Sequence, residues 1–343
     1  MNSRTSSCVL ADTAVGSFCL EVTTGILKDA KRGGPAGLAA LLALVFTAAI
    51  AIDADEFRYG VLIPANTTMV TAWTIPRNPL EDSTLDGLPK AGLVRYGYSL
   101  FLSTPKEAPN LTGNGVSCGN CHLNAGQRER ALPLVGIANI FPEYNKREGR
   151  TFTLEDRIIG CFLRSENGTG VEQPAALADG PPPAHPRSDS KEVVALAAYI
   201  SWLSEGFPRG SRLPWRGQNE IAPEHRIPVD KLDPRRGETL FKNLCTSCHG
   251  DDGQGVEIGD KKAGPLWGPK SWNDGAGAAR IYTLAGIIRY AMPYLNPGSL
   301  TDEEAQQIAA FINSKPRPIY PYKDRDYLVN PIPPDAVYYE KRR

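Results

Sequence analysis

At 343 residues the chain is long enough for two modest domains, each with a core of its own. Lys plus Arg and Asp plus Glu both total 38, so the formal net charge is zero and no nucleic-acid partner is suggested. Glycine (33) and proline (29) are abundant, a composition suited to small domains wrapped in irregular loops.

Lys28, Lys31 and Arg32 precede an uncharged, mostly apolar run from Pro35 to Ile52, after which small residues allow signal-peptidase cleavage following Ala51 or Ala54. Residues 1–54 therefore read as an export leader. The run reaches the lower edge of spanning length, so an uncleaved membrane anchor is the alternative to a signal peptide. Residues 55–88 have no clear period and carry Pro64, Pro76 and Pro79, which predicts an extended N-terminal arm.

From Ala91 to Ser103 apolar and aromatic residues recur at helical spacing and lead into Cys-x-x-Cys-His at Cys118, Cys121 and His122. The second half repeats this plan. Asp233 is a good N-cap before Pro234, and the predicted helix runs straight into Cys245, Cys248 and His249. In such a motif the two cysteines form thioethers with haem vinyl groups and the histidine takes one axial position on the iron. A lone Cys-x-x-Cys leaves zinc and redox disulfides open. A directly following histidine, found twice and behind an export-type leader, points to two covalently bound haem c groups.

Each half closes with an amphipathic helix, over 190–204 and over 301–314, where Thr301 and Glu304 fit a capping box. The predicted fold is mainly α, two cytochrome c-type haem domains in tandem. The first spans 89–207 and the second 233–320, joined by a Pro- and charge-rich linker over 208–232 and followed by a tail, 321–343. His185 and His225 fall in loops and are expected to be exposed.

Each iron needs a distal partner or an open site. In the second domain Met292 is the obvious candidate, since no other methionine follows Met69 and thioether ligation suits electron transfer. The first domain offers His185, several lysines and Cys161. Of seven cysteines, four lie in the haem motifs and Cys8 and Cys19 in the leader, which leaves Cys161 without a structural role. Thr153 and Asp156 form a capping box that predicts a helix from Leu154 to about Arg164. On it Arg157, Cys161 and Ser165 share one face, while Leu154, Ile158 and Phe162 form a separate apolar stripe. Arginine neighbours favour the thiolate, a better nucleophile and a better haem ligand than the thiol. Arg147, Arg150, Arg157 and Arg164 gather in this region, and a specific arginine pair suits a small oxyanion.

These residues resemble the dihaem thiosulfate dehydrogenases. The resemblance rests on SCGNCHLNAG (117–126), FPEYNKREGR (141–150), LEDRIIGCFLRSENG (154–168) and ALAAYISWLSEG (195–206). It continues through CTSCHGDDGQG (245–255), GPLWGPKSWNDGAG (264–277) and AMPYLN (291–296). It covers roughly residues 88–320. In that family a cysteine is the distal ligand of the first haem, a role the resemblance puts on Cys161. It likewise implies Arg147 and Arg157 as active-site basic residues, Ser165 beside the cysteine, and Met292 as distal ligand of the second haem. Methionine is common in the family where Glu166 and Ala278 stand here. An inward Glu166 would put a negative charge next to Ser165 and weaken dianion binding.

The function this implies is oxidative coupling of two thiosulfate ions to tetrathionate, or the reverse, with electrons passing through both haems to a soluble acceptor such as a small cytochrome c. The expected compartment is the periplasm, with membrane contact only if the leader stays uncleaved. Two other readings fit both haem motifs: an electron-transfer subunit of another dehydrogenase, and a cysteine-based sulfur carrier. The first alternative does not account for Cys161 beside Arg157 and Ser165.

Overall fold

A computed structural model describes residues 62–63, 75–178, 180–259 and 261–340, with the backbone of two short strands near the N-terminus. The chain divides into two units, Met1–Phe57 and Arg58–Arg343. In the first, β1 (Cys8–Ala11) pairs antiparallel with β2 (Phe18–Glu21), Cys8 opposite Glu21. The expected export leader otherwise lies outside the described residues. Among the described residues no helix is long and apolar enough to cross a membrane.

The second unit is helix-rich, with two-stranded pairings as its only sheets among the described residues. Helix α1 (Ala91–Leu102) buries Ala91, Val94, Tyr98 and Phe101, residues three or four apart that form one stripe. That stripe meets α4 (Lys191–Trp202), which buries Val193, Leu196, Tyr199 and Ile200 in the first core and exposes Lys191, Val194 and Ser201 on its other face. Between them in sequence stand α2 (Cys118–Cys121), a short hairpin of β3 (Glu143–Asn145) and β4 (Arg150–Phe152), and α3 (Leu154–Arg164). Helix α3 starts where its capping box predicts. Thr153 accepts from the Asp156 amide and Asp156 accepts from that of Thr153. Leu154, Ile158 and Phe162 bury the predicted stripe.

The second half is built alike. α5 (Pro234–Leu244) has Asp233 as its N-cap, and α6 (Thr246–His249) holds the end of the second haem motif. α7 (Ile281–Ala291) and α8 (Asp302–Asn313) follow, the latter with the Thr301–Glu304 box in place. α1 crosses α4 at Gly97 as α5 crosses α8 at Gly237. Beside each crossing a phenylalanine lies against the motif histidine. The ring centroids are 6.1 Å apart for Phe101 and His122 and 6.5 Å for Phe241 and His249. Two cytochrome c-type halves thus share one scheme.

Segments without regular structure tie the halves together. In the arm, Leu62 and Ile63 are buried, and Ile63 pairs with the Gln127–Glu129 backbone. The Arg77 guanidinium stacks on Trp202 at 4.0 Å and donates to its carbonyl. From the linker, the Trp215 indole donates to the Val135 carbonyl, so this segment packs back on the first half. The C-terminal end of α3 is held by the second half. Asn273 donates its amide to the Arg164 carbonyl and Nδ2 to the Leu163 carbonyl, satisfying acceptors that a helix end leaves open.

The tail also reaches α3. Asp326 is 1% exposed and receives both Arg164 Nη1 and Nη2, at 2.8 and 2.7 Å. Burial opposes the Arg164 charge, but the Asp326 hydrogen bonds and charge outweigh it and raise the pKa above the usual arginine value. Asp335 is buried too and pairs with Arg280 at 2.7 Å. Of the four arginines grouped by sequence, Arg164 is therefore a buried structural cation. Arg150 is spent on Glu148 and Asp156.

Candidate active site

Ser117 starts α2 with a capping box to Asn120, which places Cys118 and Cys121 one turn apart and His122 just past the helix end. His122 Nδ1 lies 2.6 Å from the Leu132 carbonyl. That contact fixes the tautomer with the proton on Nδ1 and leaves Nε2 as a lone-pair donor. Burial lowers His122 to about 4, against the opposing pull of the Leu132 carbonyl, so the ring is neutral. Beside it lies a cavity of about 320 Å³ lined mainly by apolar residues and by Cys118, Cys121 and His122. Two thiols, a neutral imidazole and an apolar cavity between them fit a covalently attached haem.

Cys161 forms part of the same cavity, as do Arg157, Ser165 and Glu166. The cavity thus has the motif histidine and the cysteine of α3 among its lining. Arg157 Nη1 stands 3.3 Å from Cys161 Sγ, the i,i+4 contact that their spacing predicts. The exposed Arg157 supplies positive charge without being consumed by a carboxylate among the described residues. The Ser165 amide closes the helix on the Cys161 carbonyl at 2.7 Å.

Glu166 does turn inward. It is 2% exposed, its Oε1 lies 3.8 Å from Cys118 Sγ, and its Oε2 has no hydrogen-bond partner. Burial pushes its carboxyl well above the usual range, which favours the neutral acid. The negative charge expected beside Ser165 is thereby suppressed.

Arg147 stands apart from the residues that line the cavity. Its Nη1 donates to the Gly275 carbonyl at 2.6 Å, its carbonyl accepts from the Tyr327 amide, and its guanidinium lies 6.0 Å from the Tyr327 ring. In its place the cavity gains Arg216, ion-paired with Glu143. Arg216 comes from the linker, and no local pattern marks it. His185 and His225 are exposed. His185 lies edge-on to Tyr322 and His225 pairs with Asp302.

In the second half Cys245 caps α5, and Cys248 and His249 sit on α6. Burial lowers His249 to about 4, opposed by the Gly264 carbonyl, so this ring is neutral as well. Ser271 Oγ, Trp272 Nε1 and Arg317 Nη1 are buried donors without a partner among the described residues. Such donors fit the carboxylates that a haem brings into its fold. Met292 follows α7 and packs with Tyr294 against Leu123, Ala131 and Ala291. It therefore packs on a cluster that includes Leu123, the residue next to His122.

The family model "SoxA/TsdA, cytochrome c domain" matches residues 110–208, and "Cytochrome C oxidase, cbb3-type, subunit III" matches 232–312. The chain is 38% identical over 241 residues to the thiosulfate dehydrogenase of Stutzerimonas stutzeri, covering 70% of this chain and 72% of that one. It is 36% identical over 271 residues to that of Allochromatium vinosum, covering 76% and 90%. Among solved structures it resembles thiosulfate dehydrogenase (TsdBA) from Marichromatium purpuratum, with TM-score 0.59 and 35% identity over 68% of this chain. It spans about half, 48%, of that longer protein. With both cytochrome c halves, both haem motifs and the cysteine-bearing helix in place, the chain belongs to the thiosulfate dehydrogenase family of dihaem c-type cytochromes.

Proposed function

We propose that this protein oxidises thiosulfate, coupling two S2O3²⁻ ions to one tetrathionate, S4O6²⁻, with release of two electrons. The observation that carries this reading is the 3.3 Å contact of Arg157 with Cys161 in a cavity shared with Cys118, Cys121 and His122. The two haems, when bound, supply the one-electron sinks and the outlet to an external acceptor.

The chain's own residues do the rest. Arg157 holds a thiosulfate by charge-assisted hydrogen bonds and offsets the repulsion that opposes bringing two dianions together. Its Nη1 also faces Cys161 Sγ, the sulfur that reacts. Cys161 sulfur bonds to the terminal sulfur of the first thiosulfate as two electrons leave, giving Cys161–S–S–SO3⁻. The second thiosulfate attacks that terminal sulfur, the bond to Cys161 breaks, and tetrathionate departs with the thiolate restored. This is thiol–disulfide exchange in form. The neutral acid form of Glu166 keeps a further negative charge out of the site. Arg147 serves by holding the β3–β4 hairpin against Gly275 and Tyr327, and Ser165 by fixing the helix end at Cys161. Met292 is the distal ligand we assign to the second haem.

The acceptor we assign is a soluble small cytochrome c, and the compartment the periplasm. Covalent haem attachment and the charged, then apolar N-terminal sequence support both. The test is turnover of the haem-loaded protein with thiosulfate and a one-electron acceptor, tetrathionate being quantified, beside Cys161→Ala. Tetrathionate from the wild type, lost in a variant that keeps both haems, is the expected result. Full activity in the variant would overturn the role of Cys161.

A further inference from the structure

Arg128 is fully buried, yet it lies on an irregular loop between His122 and the Leu132 carbonyl. Its Nη2 donates to the Tyr294 carbonyl at 2.8 Å and its guanidinium stacks on the Tyr294 ring at 4.6 Å. The Tyr294 hydroxyl in turn donates to Asn124 Oδ1 at 3.0 Å. Tyr294 stands two residues past Met292, and both pack against the small cluster that Leu123 and Ala131 of the first half form with Ala291. The short segment that carries Met292 is thus gripped from the other half at its backbone, its ring and its hydroxyl.

The grip has an unusual cost. Arg128 Nε and Nη1 are buried without acceptors, and no carboxylate among the described residues pairs with this cation. An uncompensated buried charge is expensive, so an arginine serving the fold alone is a poor choice here. Its planar fork can instead hold one carbonyl on one edge and keep two donors for an anion. The carboxylates a haem carries are acceptors of the kind such donors serve.

We propose that Arg128 is a positioning residue: from the first half, it holds the Tyr294 turn so that Met292 is presented to the second haem. Through it, the loop that orients His122 also sets the distal ligation of the other iron. This rests on Met292 as the second haem's distal ligand, as proposed above. A merely space-filling Arg128 would stabilise the protein without affecting that ligation.

The experiment uses the haem-loaded full chain. The ferric wild type is expected to show the long-wavelength sulfur-to-iron charge-transfer band of methionine ligation, and Met292→Ala to lack it. A wild type without a Met292-dependent band sinks the ligand assignment on which this rests. With the band present, Arg128→Met should weaken or abolish it while haem content stays complete. The second haem's midpoint potential should fall, because losing a thioether disfavours the reduced state. Arg128→Lys, which keeps the charge, should restore part of the band. An undiminished band and unchanged potential in Arg128→Met would overturn the proposal. Should that variant not accumulate, an undiminished band in both Arg128→Lys and Tyr294→Ala would overturn it equally.

Discussion

Gly97 and Gly237 occupy the same place in the two halves. A Cβ on either would lie 2.0 Å from a carbonyl oxygen of the closing helix, that of Ala195 in one case and of Gln307 in the other. Real Cβ atoms never come so close to backbone, so only glycine permits these crossings. Each sits in the same local pattern, Arg95-Tyr-Gly-Tyr-Ser-Leu-Phe101 and Arg235-Arg-Gly-Glu-Thr-Leu-Phe241. The phenylalanine of each pattern meets the motif histidine. Gly97→Ala should push α1 from α4 at a cost of about 1–3 kcal/mol or more, as overpacking does. Gly237→Ala should do the same to α5 and α8. Thermal unfolding followed at the Soret band checks this, each variant lowering the midpoint.

Arg157 is expected to matter for catalysis more than for stability, because it is exposed and touches Cys161 rather than the core. Hydrogen bonds to charged groups are worth about 1.5–3 kcal/mol, which corresponds to a loss of about 10–150-fold in kcat/KM for Arg157→Met. The unfolding midpoint should stay within about 0.5 kcal/mol of wild type. Steady-state kinetics beside denaturant melts would show whether the two effects separate in this way.

Arg164 and Asp326 form the reverse case. Asp326→Asn leaves a buried guanidinium with only the Glu148 carboxylate, 3.3 Å away, to offset its charge, and removing one partner of such a buried pair costs up to about 3–5 kcal/mol. Because Arg164 ends the helix that carries Cys161, turnover should decline with stability. The paired change Arg164→Met with Asp326→Leu should recover much of the loss in a chemical denaturation experiment, since apolar replacement of a buried pair is often close to neutral.

Glu166 predicts a pH dependence. Its folded pKa is raised by burial, so the native state holds a proton that the unfolded chain has released. The stability this group contributes is therefore greatest below the unfolded carboxylate value, near about 4.3, and is lost as pH rises from there toward the folded value. The slope reaches at most about 1.4 kcal/mol per pH unit. Glu166→Gln should remove that slope, so the variant gains on the wild type as pH rises. Unfolding midpoints of both proteins from pH 5 to 8 measure it, and parallel curves would show that Glu166 does not titrate there.

What could be read from the sequence was what local spacing encodes. Cys-x-x-Cys-His fixes three side chains within five residues, Thr153 and Asp156 fix a helix start, and i,i+4 spacing brings Arg157 to Cys161. The two tandem helix-rich halves followed from the same signals. Arg147 shows the limit. Its sequence neighbourhood is basic, but its direction is decided by the Gly275 carbonyl, 128 residues away. Arg216 reaches the cavity from a segment read as linker because Trp215 anchors it to Val135. The 321–343 tail lay outside the family resemblance and still supplies Asp326 to the first half. Each of these is a contact between distant segments, for which one sequence carries no periodicity.

The Arg164–Asp326 pair joins residues 162 apart in the chain. Synthesis proceeds from the N-terminus, and the first haem motif and the cysteine-bearing helix emerge long before Asp326. Until the final stretch arrives, the helix that presents Cys161 has a buried cation offset only by Glu148, at 3.3 Å, and its last carbonyls still await Asn273. Maturation therefore does not simply follow chain order: the half made first is completed only when the tail arrives. A polypeptide cut short after the second haem motif would carry both attachment sites and still lack a settled thiol.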